Sequence, residues 1–157
     1  MTETRSWVAD EYGRVLGHGF HDGQFVGLTI ADEQGRCTIS MQVRKASGGR
    51  VLLEFDDVLN FSVAQLWRGD IVSDLWAFRV GTSFDKYWDI PDSAWNVLFG
   101  GQYRLEQAKE RAAKLAQDVP DAWIVHLQTL SRGGIAALCF GVVISQDDSQ
   151  ATVGGQV

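Results

Sequence analysis

The sequence predicts an α+β domain, a curved and mainly antiparallel sheet of about six to eight strands with one long helix packed on a face. Three observations carry that expectation. Short apolar runs separated by turn residues fill the first half, one stretch alternates strictly between apolar and polar residues, and only residues 102–117 show a long helical stripe. Seventeen glycines against two prolines suit many tight turns between strands. A length of 157 residues fits one self-sufficient core, expected over residues 1–145, with a polar tail over 146–157 that frays.

The first ten residues read as a polar lead-in from which Trp7 and Val8 can dock. Two apolar stretches, 15–20 and 24–30, flank His21, Asp22 and Gly23; Asp-Gly between apolar runs predicts a hairpin, because glycine tolerates positive φ. Asp32, Glu33, Gln34 and Gly35 form the next turn. After it Cys37, Ile39, Met41 and Val43 alternate with Thr38, Ser40, Gln42 and Arg44. That period of two puts one face in the core and the other in water. Gly48 and Gly49 turn the chain into Val51, Leu52, Leu53 and Phe55. Asp56 and Asp57 are expected to interrupt before a further strand over 58–64, and residues 65–70 to form a bend ending at Gly69. A strand over 71–80 would anchor Leu75, Trp76, Phe78 and Val80 in the core.

Residues 81–91 lack a period and read as a loop with aromatic anchors, followed by a short helix capped by Asp92 or Ser93. In the long helix Leu105, Ala108, Ala112 and Leu115 form the buried stripe, and its alanines allow close approach to a sheet. Glu110 precedes Lys114 in the favourable order for a surface pair. Beyond Pro120, Trp123, Val125 and Leu127 share one face of a strand. Gly133 and Gly134 then turn the chain into residues 135–144, which are apolar on both faces as a central strand requires.

The formal charge of −6 argues against wholesale binding to nucleic-acid phosphates, which needs clustered Lys and Arg, and suits a partner protein with a basic surface. The first ten residues lack the apolar core of a signal peptide, and no apolar run reaches membrane-spanning length. A cytoplasmic location without a membrane partner is therefore expected. Cys37 and Cys139, each in an apolar strand pattern, are expected as buried free thiols. No nucleophile elbow, Walker loop, EF-hand loop or zinc ribbon is present, which withholds support from catalysis, and no cofactor is expected.

Two groups of residues remain as candidates. His18, His21 and Asp22 are the densest set of potential metal ligands; as structural residues they would instead flank a hairpin turn whose geometry Asp22 supplies. Trp67, Trp88 and Trp95 fall in the irregular half of the chain, with Asp85 and Asp89 nearby. Exposed aromatic residues beside carboxylates are the composition of a protein-binding surface, so Trp67, Asp85, Trp88 and Asp89 are the expected contacts. A homodimer through sheet edges or apolar patches is also compatible with a small β-rich domain, as is an apolar small-ligand pocket lined by the aromatic residues inside the curved sheet.

Between His21 and Ile71 the chain carries His21-Asp22-Gly23, then Leu53-x-Phe55 followed by Val58, then Trp67-x-Gly69-Asp70-Ile71. In these motifs it resembles small bacterial β-rich proteins of unknown function, some of them grouped with immunity proteins of polymorphic toxin systems. The resemblance spans about a third of the chain. It implies a non-catalytic, immunity-like role and transfers no active-site residue.

Overall fold

Alternating side chains build most of this molecule. The computed structural model describes residues 2–5, 7–81, 94, 98 and 104–147, those at 2–5 and 105 by backbone alone. Its elements in chain order are β1 (Thr2–Arg5), β2 (Val8–Ala9), β3 (Val15–Leu16), β4 (Gln24–Glu33), β5 (Arg36–Arg44), β6 (Arg50–Ala64), β7 (Val72–Arg79), α1 (Leu105–Asp118), β8 (Trp123–Thr129) and β9 (Gly134–Asp147). The main sheet is antiparallel in the order β4-β5-β6-β9-β8-β7, with β1 paired to the far end of β9, while β2 and β3 pair with each other. One four-turn helix against this much strand places the described chain nearer a mostly-β class than the α+β class expected.

The sheet closes on itself. The amides of Asp22 and Phe25 donate to the carbonyls of Val72 and Asp70 at 3.0 and 2.8 Å, and those of Val72 and Gly69 donate back to Gly23 and Phe25 at 2.7 and 2.8 Å. Closure requires a stagger, because strands of a barrel tilt against its axis. Gln24 is level with Asp147 by way of Arg44 and Arg50, yet it also bridges Ile71, whose neighbour Val72 is level with Thr129 of β8, next to the Gln128↔Gly134 pair at the opposite end of β9. The ladder therefore slips by nearly the whole length of β9 in one circuit.

The interior is filled by Ile39, Met41 and Val43 of β5, Val51, Leu53 and Phe55 of β6, Leu75 and Ala77 of β7, Val125 and Leu127 of β8, and Ile135 and Ala137 of β9. The alternation expected of β5 is present, and the three consecutive odd positions of β6 pair with it directly. Cys139 is buried in this core and Cys37 packs at its margin; both are free thiols, and burial pushes the Cys139 thiol up to about 12, so it is chemically quiet. β9 lies between β6 and β8 as its two apolar faces require.

A second core lies outside the sheet. Phe78, Ile124, Ala136 and Leu138 face away from the barrel and meet Ala108 and Ala112 of α1, with Ala94 and Leu98. The alanine stripe was the expected one, and α1 starts at Leu105 and ends at Asp118, one residue later than predicted and just before Pro120. His126 sits on this same face opposite Trp76 and Ala136, 2% exposed, and its Nδ1 has no hydrogen-bond partner among the described residues. Desolvation lowers its pKa to about 4. No described helix is long and apolar enough to cross a membrane.

Three sequence expectations need correction. His21, Asp22 and Gly23 do form a tight turn, with Asp22 at φ 63 and the Gly23 amide 2.9 Å from the Phe20 carbonyl. Its flanks do not pair as a hairpin, because β3 pairs backwards with β2 and the turn residues bond Val72 instead. Asp56 and Asp57 do not end β6, which absorbs Asp57 at φ 49 and continues to Ala64. Gln146 and Asp147 are not a frayed tail; they pair with Val51 and Arg50 on one side and with Glu3 and Thr2 on the other. Trp7 docks as expected: it donates to the Val142 carbonyl at 3.1 Å and packs edge-on to Trp123 at 4.9 Å, whereas Val8 stays exposed.

Two stability measurements follow from this arrangement. A Cβ on Gly23 would lie 2.6 Å from Cγ1 of Val43 and 2.9 Å from the Phe20 carbonyl oxygen, at the seam where the sheet closes. Gly23→Ala should lower unfolding free energy by roughly 1–3 kcal/mol in a urea titration, and an unchanged midpoint would contradict the closed seam. His126 takes up a proton at 6.5 when unfolded but only at about 4 when folded. Stability should be fully present above pH 6.5 and fall as pH drops from there toward 4, by about 3 kcal/mol for this group. His126→Leu should flatten that portion of the pH–stability curve.

Candidate functional site

Two places on the surface draw the sequence candidates together. The first is a cleft of about 280 Å³ between the segment leading into β4 and the start of β7, lined by Arg14, His18, Phe20, His21, Ser73 and Asp74 among others. Asp10 builds one wall: its Oδ1 accepts from the amides of Tyr12 and Arg14, each at 2.9 Å, and turns the chain at Gly13. The Gly13 carbonyl then accepts from Ala77 at 2.7 Å, which seats Arg14 opposite Trp76. The Arg14 guanidinium lies 5.0 Å from the Trp76 ring centre and 3.2 Å from Asp74 Oδ1.

His18 is 5% exposed and tilts against Phe20 at 5.9 Å, whereas His21 and Asp22 stand in solvent. The Ser73 carbonyl accepts from Nδ1 of His21 at 2.8 Å, which fixes the ring proton there. Nε2 of His21 is 3.8 Å from Asp22 Oδ1. The Ser73 carbonyl, then the Asp22 charge, raise the pKa of His21 above 6.5. Ser73 Oγ donates to the Gln128 carbonyl at 3.2 Å, so the hydroxyl is engaged away from His21. The metal arrangement expected as an alternative does not form: no group of three or more His, Cys, Asp or Glu side chains among the described residues is placed to hold an ion.

The second place is the end of the barrel where β6 passes into β7. Asp70 clamps that turn: its Oδ2 accepts from the Trp67 amide at 2.9 Å and from Ser131 Oγ at 3.2 Å, while its own amide donates to the Trp67 carbonyl at 3.0 Å. Gln65 at φ 48 and Gly69 at φ 90 complete the bend. The clamp presents Trp67, which is 69% exposed. The β8–β9 turn packs against the same bend, since the Leu130 amide donates to the Ile71 carbonyl at 2.9 Å, and Leu130 is 65% exposed. Asp85, Trp88 and Asp89, the other expected contacts, lie outside the described residues, as does Trp95.

Sequence reasoning singled out Trp67, which is exposed, and did not anticipate a further set of exposed apolar residues. Ile30, Phe61 and Val63 are also exposed. By register Phe61 and Val63 stand beside the buried Ala137 and Ile135, and Ile30 beside the buried Ile39. They lie on the core side of their strands and read as core in any periodic pattern. Phe61 and Val63 lie beyond the last β5–β6 pair, at Phe55, where no described strand covers that side of β6.

Comparison with protein-family models, with curated proteins and with solved structures returns no match for this chain. The geometry of the two places therefore carries the functional argument unaided.

The cleft makes one spectroscopic prediction. In an NMR pH titration of the imidazole Cε1–H signals, His21 should titrate above 6.5, and Asp22→Asn should lower that value without returning it fully, because the larger cause is the Ser73 carbonyl. A His21 that titrates at or below 6.5 in the unaltered protein would contradict the Ser73 hydrogen bond.

Proposed function

We propose that this chain is a non-catalytic protein-binding domain, immunity-like in role, that engages a partner with a basic surface through the barrel end carrying Trp67. The observation that carries this reading is a large aromatic side chain held 69% exposed on a turn locked by Asp70 and Ser131. The clamp holds the Trp67 main chain, so the loop-ordering part of the cost of binding is already met. Leu130 adds apolar surface on the adjoining turn, and the net charge of −6 favours encounter with a cationic partner.

The engaged polar groups of the cleft support the non-catalytic side of the reading. Arg14 is paired to Asp74, His21 to the Ser73 carbonyl and Ser73 Oγ to the Gln128 carbonyl, so within the cleft the Ser73 hydroxyl is directed at a main-chain carbonyl and not at a base. The sheet interior is filled with side chains, which favours a protein surface over an internal small-ligand pocket.

The test is a paired affinity capture from native lysate with the tagged protein and with Trp67→Ala, at moderate and at high salt. A stoichiometric partner that weakens with salt and falls by at least about tenfold on Trp67→Ala is expected, the size of effect an aromatic anchor produces. Equal capture by both proteins would remove Trp67 from the contact.

A further inference from the structure

β6 is much longer than the hairpin beside it. β5 pairs with β6 only from Arg44↔Arg50 to Ile39↔Phe55. The hairpin ends at its Gln34–Gly35 turn, where the Arg36 guanidinium meets Asp57 Oδ1 at 3.2 Å. β6 nevertheless runs on to Ala64, paired to β9 along its other side as far as Ala64↔Gly134. Over residues 59–64 the side of β6 away from β9 has no main-chain partner among the described residues, and Leu59, Asn60 and Phe61 are exposed in succession. Edges that natural proteins protect carry lysine, proline or a cover. Residues 56–64 contain no Lys, Arg or Pro.

The core face is open at the same place. Phe61 and Val63 are 37% and 43% exposed although their neighbours Ala137 and Ile135 are fully buried, and Ile30 on β4 is 47% exposed beside the buried Ile39. A further strand laid along β6 would take up the free amides and carbonyls, and its alternate side chains would continue the core face over Phe61 and Val63. The rim is acidic. Asp32, Glu33 and Asp56 are exposed and in no ion pair among the described residues, whereas Arg36 is engaged by Asp57, leaving Arg68 of the β6–β7 turn as the cation nearest in sequence.

We infer that the partner is recognised by strand addition: an extended segment with apolar side chains on one face and Lys or Arg on the other pairs with the free edge of β6 over residues 59–64. This rests on the protein-binding reading and specifies its mode. A second copy of the chain is the poorer occupant, because it would bring the same acidic rim, including Asp56 and Asp57, against itself.

The probe is an eight-residue peptide alternating Lys with Val or Ile, capped at both ends, together with two versions N-methylated on the Lys nitrogens or on the Val and Ile nitrogens. Strand pairing uses one edge of the peptide, so one methylated version should bind at least about tenfold more weakly than the other. Amides of residues 59–64 should gain about tenfold or more in hydrogen-exchange protection on peptide binding. Val63→Lys, at an exposed position, should abolish that protection while leaving the melting temperature unchanged. Equal affinity of the two methylated peptides, or no protection of residues 59–64, overturns strand addition. A chain that is dimeric without peptide and made monomeric by Val63→Lys identifies the occupant as a second copy and overturns the basic-strand proposal. A partner captured through Trp67 that Val63→Lys still binds would leave the protein-binding reading standing and remove only its mode.

Discussion

The seam between the start of β4 and the start of β7 is the constraint from which the rest of the architecture follows. Main-chain bonds join Asp22, Gly23 and Phe25 to Gly69, Asp70 and Val72. Gly23 sits in that seam with no room for a side chain, because Val43 and the Phe20 carbonyl already occupy the space. A sheet that closes there has to slip by nearly one strand length per circuit, since Gln24 is level with one end of β9 through β5 and β6 and with the other through β7 and β8. A slip of that size tilts the strands strongly, and tilted strands let side chains from all six fill a narrow interior.

Closure also decides what each strand must be made of. β7, β8 and β9 have the barrel core on one face and α1 on the other around Phe78, Ile124, Ala136 and Leu138, so there they are apolar on both faces, whereas β5 meets solvent on one face and alternates. Ala108 and Ala112 let the helix come close to Phe78, Ile124 and Leu138. The same tight packing traps His126, whose buried imidazole is held neutral by desolvation well below its ordinary pKa. An apolar residue there would pack as well without a proton-binding penalty. His126 is thus a local departure from an otherwise consistent core.

Periodicity made some of this legible and was blind to the rest. β5, the alanine stripe of α1 and the two-faced β9 could be read directly, because each is set by burial of side chains along one short segment. The pairing of β3 could not. Its Val15–Leu16 run looks like half of a hairpin across His21-Asp22-Gly23, and nothing local reveals that Val8–Ala9 and Val72 compete for those backbone groups and win. Asp57 misled for a related reason: two adjacent aspartates resemble a turn, but one residue at positive φ is absorbed as an irregularity within a strand held by β9. At the candidate site Trp67 was legible as an aromatic in a turn-rich segment. Phe61 and Val63 were not, because their exposure is a property of what fails to lie beside them.

Unequal strand lengths link the closed sheet to its proposed use. β6 and β9 have 15 and 14 residues, as the stagger demands, while β5 has nine and turns back at Gly35. By the register Ile39↔Phe55, a β4–β5 hairpin longer by about five residues a side would reach Val63 and cover Phe61, with no change to the seam. The long strands are needed for closure, but the short hairpin is not. An uncovered edge is an aggregation hazard that natural sequences ordinarily suppress with lysine or proline, and here the positions that would carry such residues are Leu59, Asn60, Phe61, Ser62 and Val63. The acidic groups sit around this edge, at Asp32, Glu33 and Asp56, so they deter self-association of an acidic chain while leaving the main-chain groups accessible. An edge flanked by carboxylates and without lysine or proline is what the proposed addition of a cationic strand requires.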